Sequence, residues 1–251
     1  MFQSFDVTAD PSQGITRVGQ LRKALAKAGL DGYLVPRADE HQGEYVAPSS
    51  ERLAWLTGFT GSAGAALVLR DRAILFVDGR YTLQAAEQTD PSIFTVESLI
   101  DTPPREWIGR NAPTGSRIGF DPWLHTVAEL RALRDRARAR SIELVPVDDN
   151  MVDLIWNDRP SPPLAQARIQ SKDYAGELAA AKLERMAKAI REAGADCTVL
   201  TDPSSIAWAF NIRGQDVPHT PLALASPFSP WTGAHCFSST DASSTAKPRP
   251  I

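Results

Sequence analysis

The 251-residue chain sets 27 Lys and Arg against 30 Asp and Glu, a formal net charge of −3, with 43% hydrophobic and 23% charged residues. This is an ordinary globular composition, with room for one or two domains and a sizeable core, and its charge offers no footprint for nucleic acid or an anionic membrane. Cys197 and Cys236 are too few for a disulfide framework and lack metal-site spacing, no apolar run approaches the ~18 residues of a bilayer span, and the opening MFQSFDVTADPSQG has neither the basic nor the apolar region of a signal peptide; a cytoplasmic, reducing location is expected.

Taken in chain order, helical and strand patterns alternate. Val18, Leu21 and Leu25 give helical spacing over Ile15–Lys27, closed by Ala28-Gly29. Gly32–Pro36 reads as a short buried strand, and Ser49-Ser50 as the cap of a helix over Glu51–Trp55. Two apolar runs, Ala65–Leu69 and Ala73–Val77, flank Arg70-Asp71-Arg72 and predict a hairpin. There follow a helix at Tyr81–Gln88 and strands at Phe94–Val96 and Arg117–Phe120. After these come a helix at Val127–Arg140, a strand at Glu143–Pro146 and a short helix at Met151–Trp156. Alternation of this kind predicts an α/β layered domain over residues 1–156.

Residues 157–163 hold three prolines and make a stiff linker. A second unit, residues 164–225, begins with a long amphipathic helix over Asp173–Ala193. A strand at Cys197–Thr201 follows, then a helix led by Ser204-Ser205 around Ile206–Phe210. Its landmarks repeat those of the first unit: helix, Ala-Gly, strand, Ser-Ser, Ala-Trp, Gly. The first copy carries twelve more residues between Ala-Gly and Ala-Trp, which fit the polar loop Arg37–Pro48.

A true repeat requires a hairpin after Gly214. Residues 226–251 are instead rich in Ser, Thr and Pro with no surviving strand or helix period, and are expected to be an aberrant, disordered tail. Back-translated with GC-rich codons, a neighbouring frame can encode two apolar runs around a tight turn closed by Asp-Gly-Arg, which points to a frameshift near codon 225. An unfinished sheet leaves an open edge and exposed apolar faces, so residues 1–156 are expected to fold alone. Proteolysis is expected within Asn157–Pro163 and after Pro221.

Arg80 lies where a strand gives way to a helix in Asp78-Gly79-Arg80-Tyr81. A guanidinium there can bind a carboxylate or peptide carbonyl through two parallel hydrogen bonds, or pair with Asp78. The loop from Arg37 to Glu44 gathers acids around His41, but its spacing matches no usual ligand pattern, so a solvated loop is expected. His219, between prolines, reads as structural. Gly58–Gly64 lacks the Lys-Ser/Thr ending of a phosphate loop and precedes a hairpin. The arginines from Arg131 to Arg140 interleave with acids and read as a solvated helix face.

Taken together, His41-Gln-x-Glu-Tyr45, Gly58-Phe-x-Gly-Ser-Ala-Gly64, Asp78-Gly-Arg-Tyr81 and Leu83-Gln-Ala-Ala86 resemble the first domain of the large, three-domain aminopeptidase P family. Trp156-x-Asp-Arg-Pro160 resembles its interdomain linker. Ile206-Ala-Trp208, Asn211-x-Arg-Gly214 and Asp216-Val-x-His219 resemble the start of its second domain. The resemblance implies a creatinase/prolidase N-terminal-like α/β domain followed by an incomplete second copy of that fold. It implies enzymes that release an N-terminal residue preceding proline, work as cytoplasmic homodimers and use two divalent metals, usually manganese, to activate a bridging water. Those metals are held by a third domain that this sequence does not reach. No catalytic or metal-binding residue and no cofactor is therefore assigned to this chain, and it is expected to be inactive alone. Arg80 matches a first-domain arginine that contacts the bound peptide, and is the one substrate-binding residue assigned. The alternatives are a stand-alone interaction or dimerisation module and a creatinase- or prolidase-like hydrolase.

Overall fold

A computed structural model describes residues 9–224 and the backbone of 235–238. The chain divides into two compact units between Ser161 and Pro162.

In the first unit, α1 (Gln13–Lys27), β1 (Gly32–Pro36), α2 (Arg52–Thr57), β2 (Gly64–Leu69), β3 (Ala73–Val77), α3 (Thr82–Gln88), β4 (Phe94–Ser98), α4 (Pro104–Asn111), β5 (Arg117–Phe120), α5 (Val127–Arg138) and β6 (Glu143–Pro146) follow one another. The six strands form one sheet in the order β4-β3-β2-β1-β5-β6. β2 runs antiparallel to β1 and β3, whereas β3/β4, β1/β5 and β5/β6 are parallel. Both faces of the sheet are covered, which is why its central strands read as unbroken apolar runs. Tyr33, Val35, Ala66, Val68, Leu75 and Val77 pack with α1 and α2. Their neighbours Leu34, Leu67, Leu69, Ile74 and Phe76 point the other way, onto Trp107 and Ile108 of α4 and Leu133 and Ala137 of α5.

Several expected elements come out differently. Ser49 and Ser50 do not cap α2; with Pro48 they form one 3-10 turn, and Glu51 precedes α2 without a side-chain cap bond. The segment Met151–Trp156 is not a helix. Asn150 Oδ1 accepts from Val152 N at 3.0 Å, and the backbone bonds of Leu154, Ile155 and Trp156 alternate between four- and three-residue spans, closing single turns. α4 was not legible because its sequence, PREWIGRN, buries only the adjacent pair Trp107 and Ile108 and so shows no helical period.

In the second unit, β7 (Arg168–Ile169) pairs antiparallel with β9 (Ile212–Arg213) around α6 (Lys172–Ala175), α7 (Ala179–Glu192), β8 (Cys197–Leu200) and α8 (Pro203–Phe210). The single long helix expected over Asp173–Ala193 is two: Gly176, at φ +76°, takes the left-handed conformation and donates to Lys172 O at 2.7 Å, ending α6. The cap of α8 is Asp202, which accepts from Ser205 N at 2.7 Å; Ser204 and Ser205 lie inside the helix. The strand β10 (His235–Ser238) pairs antiparallel with β8, which corrects the expectation that no strand follows residue 225; the rest of that expected tail lies outside the described residues. Thus α7–β8–α8 with an antiparallel β10 repeats α1–β1–α2 with an antiparallel β2.

Candidate functional site

Because β2 alone is reversed, the loops after β1, β3, β4 and β5 and the loop entering β2 all gather at one end of the first sheet. This is the end at which open α/β sheets bind their ligands. Arg80 is there, in a 3-10 turn of Gly79–Tyr81 directly after β3. Asp78 caps that turn: its Oδ1 accepts from Arg80 N at 3.0 Å and from Arg80 Nε at 2.8 Å. The pairing raises the Arg80 pKa and lowers that of Asp78. The Arg80 side chain is 67% exposed, so its ion pair contributes little stability; its effect is to fix direction. With Nε held by Asp78 and the side chain largely exposed, the two Nη groups have no hydrogen-bond partner among the described residues and offer a fork that matches a carboxylate or carbonyl.

The neighbouring chain holds this turn in place. The Arg80 guanidinium carbon lies 5.2 Å from the centre of the Tyr81 ring. Tyr81 Oη and Ser62 Oγ are 2.7 Å apart, a hydrogen bond that lowers the Tyr81 pKa, and Tyr81 meets Phe59 edge-on at 5.7 Å. Thr60 N and Thr60 Oγ1 both donate to Gln88 Oε1, and Gln84 Nε2 donates to both, tying the loop to α3. The glycines of this loop serve packing: a Cβ on Gly61 would lie 2.2 Å from the Phe59 ring, and Gly58, at φ +85°, lies under Gln88 O. That agrees with its having no phosphate-loop ending.

The loop after β1 stands beside Arg80. Asp39, 1% exposed, accepts from His41 N and Gly43 N at 3.0 Å each. Glu44 is near enough for its charge to act on the Arg80 guanidinium. Among the described residues no three His, Cys, Asp or Glu side chains come together as metal ligands, and His41 sits in a polar loop. His219 belongs to the second unit, exposed at φ +59° on a turn closed by Thr220 N to Val217 O. The arginines from Arg131 to Arg140 do more than face water: Arg136 of α5 pairs with Glu106 at 2.8 Å, and Arg140, just past α5, donates to the carbonyls of Ala112 and Arg110, fastening α4.

At the same end of the sheet, sequence reasoning missed a cleft of about 440 Å³ lined by Leu34, Arg37, Ser62, Arg105, His125 and Leu130 among others. Burial lowers the His125 pKa, so the imidazole is neutral at pH 7. These residues lie in four separate stretches of the chain, and no local pattern connects them.

An α/β sheet covered on both faces, carrying Asp-Gly-Arg-Tyr at a strand end and followed by a partial second copy, defines the class. The model of the creatinase/prolidase N-terminal domain matches residues 17–155, and the chain belongs to that family. A second model of the same description matches residues 158–246, running past residue 225. The chain is 36% identical over 228 residues to a probable Xaa-Pro aminopeptidase P of Coccidioides posadasii, covering 90% of this chain and 35% of that protein. It is 40% identical over 215 residues to aminopeptidase P2 of Arabidopsis thaliana, covering 83% and 30%. The X-prolyl aminopeptidase of Caenorhabditis elegans, described as a cytosolic enzyme with a di-nuclear active site, superimposes with a TM-score of 0.78 at 29% identity over 84% of this chain and 37% of that one. The chain thus spans about a third of the length of these relatives, in their N-terminal region. No helix among the described residues is long and apolar enough to cross a membrane.

Proposed function

We propose that this chain is the non-catalytic front part of an Xaa-Pro aminopeptidase and that Arg80 contacts the peptide in the intact enzyme. The observation that carries this is the Arg80 turn: a family motif that holds one guanidinium by its Nε and leaves the fork without a partner among the described residues, at the ligand-binding end of the sheet. Arg80 recognises and orients; it neither activates water nor moves a proton. The substrate class is a peptide with proline in second position, and the intact enzyme is a cytoplasmic homodimer with two divalent metals, manganese in preference. Those metals, when bound, supply the activated water, and no residue assigned here takes part in that step.

We infer that this chain by itself releases no N-terminal residue. Incubating the purified chain with manganese and an Xaa-Pro peptide is expected to release no N-terminal residue; turnover above blank refutes the reading. Peptide contact is read separately, in an intact relative carrying the matching arginine changed to Lys, which keeps the charge and loses the fork. KM for Xaa-Pro peptides is expected to rise at least several-fold, and an unchanged KM and kcat would remove Arg80 from the site. The frameshift near codon 225, whether in the gene or introduced in sequencing, is checked by resequencing across that codon: clean reads that continue unshifted to Ile251 rule out its arising in sequencing.

A further inference from the structure

The segment that leads out of the first unit is bound to it more tightly than a linker requires. Trp156, 7% exposed, stacks on Trp55 with ring centres 5.2 Å apart and planes 18° from parallel. The Arg17 guanidinium lies over the Trp55 ring at 4.6 Å. Three residues before Trp156, Asp153 takes a two-pronged pair from Arg52, Nε to Oδ1 and Nη2 to Oδ2, each 2.8 Å. Three residues after it, Arg159 Nη1 reaches back to Asp153 Oδ2 at 2.6 Å, while its Nε donates to Ser49 O at 2.7 Å. Ser49, 3% exposed, sits at the far end of the loop Arg37–Pro48. The near end is held by Arg37, which donates to Glu44 O and pairs with Glu51 at 3.6 Å.

Arg159 therefore has one hand on the outgoing chain and the other on the loop beside Arg80. We propose that Arg159 is a latch that couples the inter-unit linker to the Arg37–Pro48 loop, so that the joint between the units lies at Pro160–Pro163 and release of the linker loosens the loop next to Arg80. The reasoning is geometric. A planar guanidinium presents fixed donors, so one side chain that satisfies a carboxylate with Nη1 and a backbone carbonyl with Nε cannot leave one and keep the other in place. Pro160 and the prolines after it supply the stiff, bond-free stretch where a joint belongs. Only the consequence for peptide binding rests on the reading of Arg80; the latch itself is tested without substrate.

The test is amide hydrogen exchange on the full chain and on Arg159→Met. Loss of the latch is expected to speed exchange by about tenfold or more in two separate segments, 38–50 and 154–159, with the β2–β3 amides unchanged, as for a local opening. Lysine protease sites introduced at 158 and at 164, where Leu164 is exposed and followed by Ala165, are expected to be cut at 164 in the parent and at both in the variant. Faster exchange at 154–159 with an unaltered loop overturns the coupling, and no change in either segment overturns the latch. If Arg159→Met fails to fold, Arg159→Lys, which keeps the charge but cannot serve both acceptors, is read at the same two segments and by the same criteria.

Discussion

The two units begin from the same plan and end with different interiors. In the first, β1 is flanked by β2 and β5 inside a six-stranded sheet, and all five of its residues are buried or half-buried. In the second, the equivalent β8 is paired among the described residues with β10 alone, and its residues alternate between exposed and half-buried. The first unit places Phe76, Leu67 and Ile74 at 1% exposure or less, whereas the second leaves Leu164, Ile169, Tyr174 and Val199 more than half exposed. The same supersecondary motif is thus either a core or a surface according to how many layers cover it. Layers, more than the motif, supply the apolar burial that stabilises a domain.

That contrast can be broken from the first unit. Asp153→Asn strips the charge opposite Arg52, whose side chain is 8% exposed, and breaking a buried pair from one side costs about 3–5 kcal/mol. Phe76→Ala removes a ring at 0% exposure and is expected to cost about 3–5 kcal/mol. Both should lower the first unit's denaturant midpoint and leave the second unit's signal unshifted; a common shift would show one cooperative body.

In the second unit the buried group to test is Lys182, 3% exposed. Its ammonium donates to Trp208 O at 3.0 Å and to Asn211 Oδ1 at 2.6 Å, closing the C-terminal end of α8. Lys182→Met leaves those acceptors unsatisfied and should cost about 1–3 kcal/mol, seen as loss of helix signal at lower urea than in the parent. An unchanged midpoint would mean that water serves α8 equally well.

A smaller effect concerns pH and the first unit alone. His125 has a depressed pKa because burial disfavours its charged form. The unfolded chain therefore binds the proton more readily, and the stabilisation is complete above pH ~6.5 and declines as pH falls below it toward the folded pKa. The first unit's Tm should fall between pH 7 and pH 5, and His125→Gln should flatten that part of the profile. The smallest effect is at Arg80: its exposed side chain predicts that Arg80→Lys leaves the urea midpoint unshifted, so any loss of peptide affinity there is not a folding effect.

Much of the first fold was legible because burial on both faces writes long apolar runs. β1, β5 and β6 fall where the sequence predicts them, and the β2–β3 hairpin differs by one residue. What was not legible was set by polar contacts over long separations. Arg52 meets Asp153 across 101 positions and Arg159 meets Ser49 across 110, and neither leaves a periodic trace. The turn at Met151–Trp156 reads as a helix because its apolar residues are well spaced, but its backbone bonds mix three- and four-residue spans and close single turns instead of a continuous ladder. Gly176 splits the expected long helix through backbone freedom that amphipathic spacing does not record.

The sequence by itself determined the α/β alternation, the division into two related units, the family, and Arg80 as the residue to examine. Each is written in local pattern: apolar period, proline density, or a motif in contiguous residues. Only the tertiary structure decided that the Arg80 turn, the loop after β1 and a cleft gather at one end of the sheet, and that the linker's first residues belong to the first unit. Those depend on which side chains meet after the sheet has closed, and such meetings between distant residues are fixed by packing and hydrogen-bond geometry rather than by spacing along the chain.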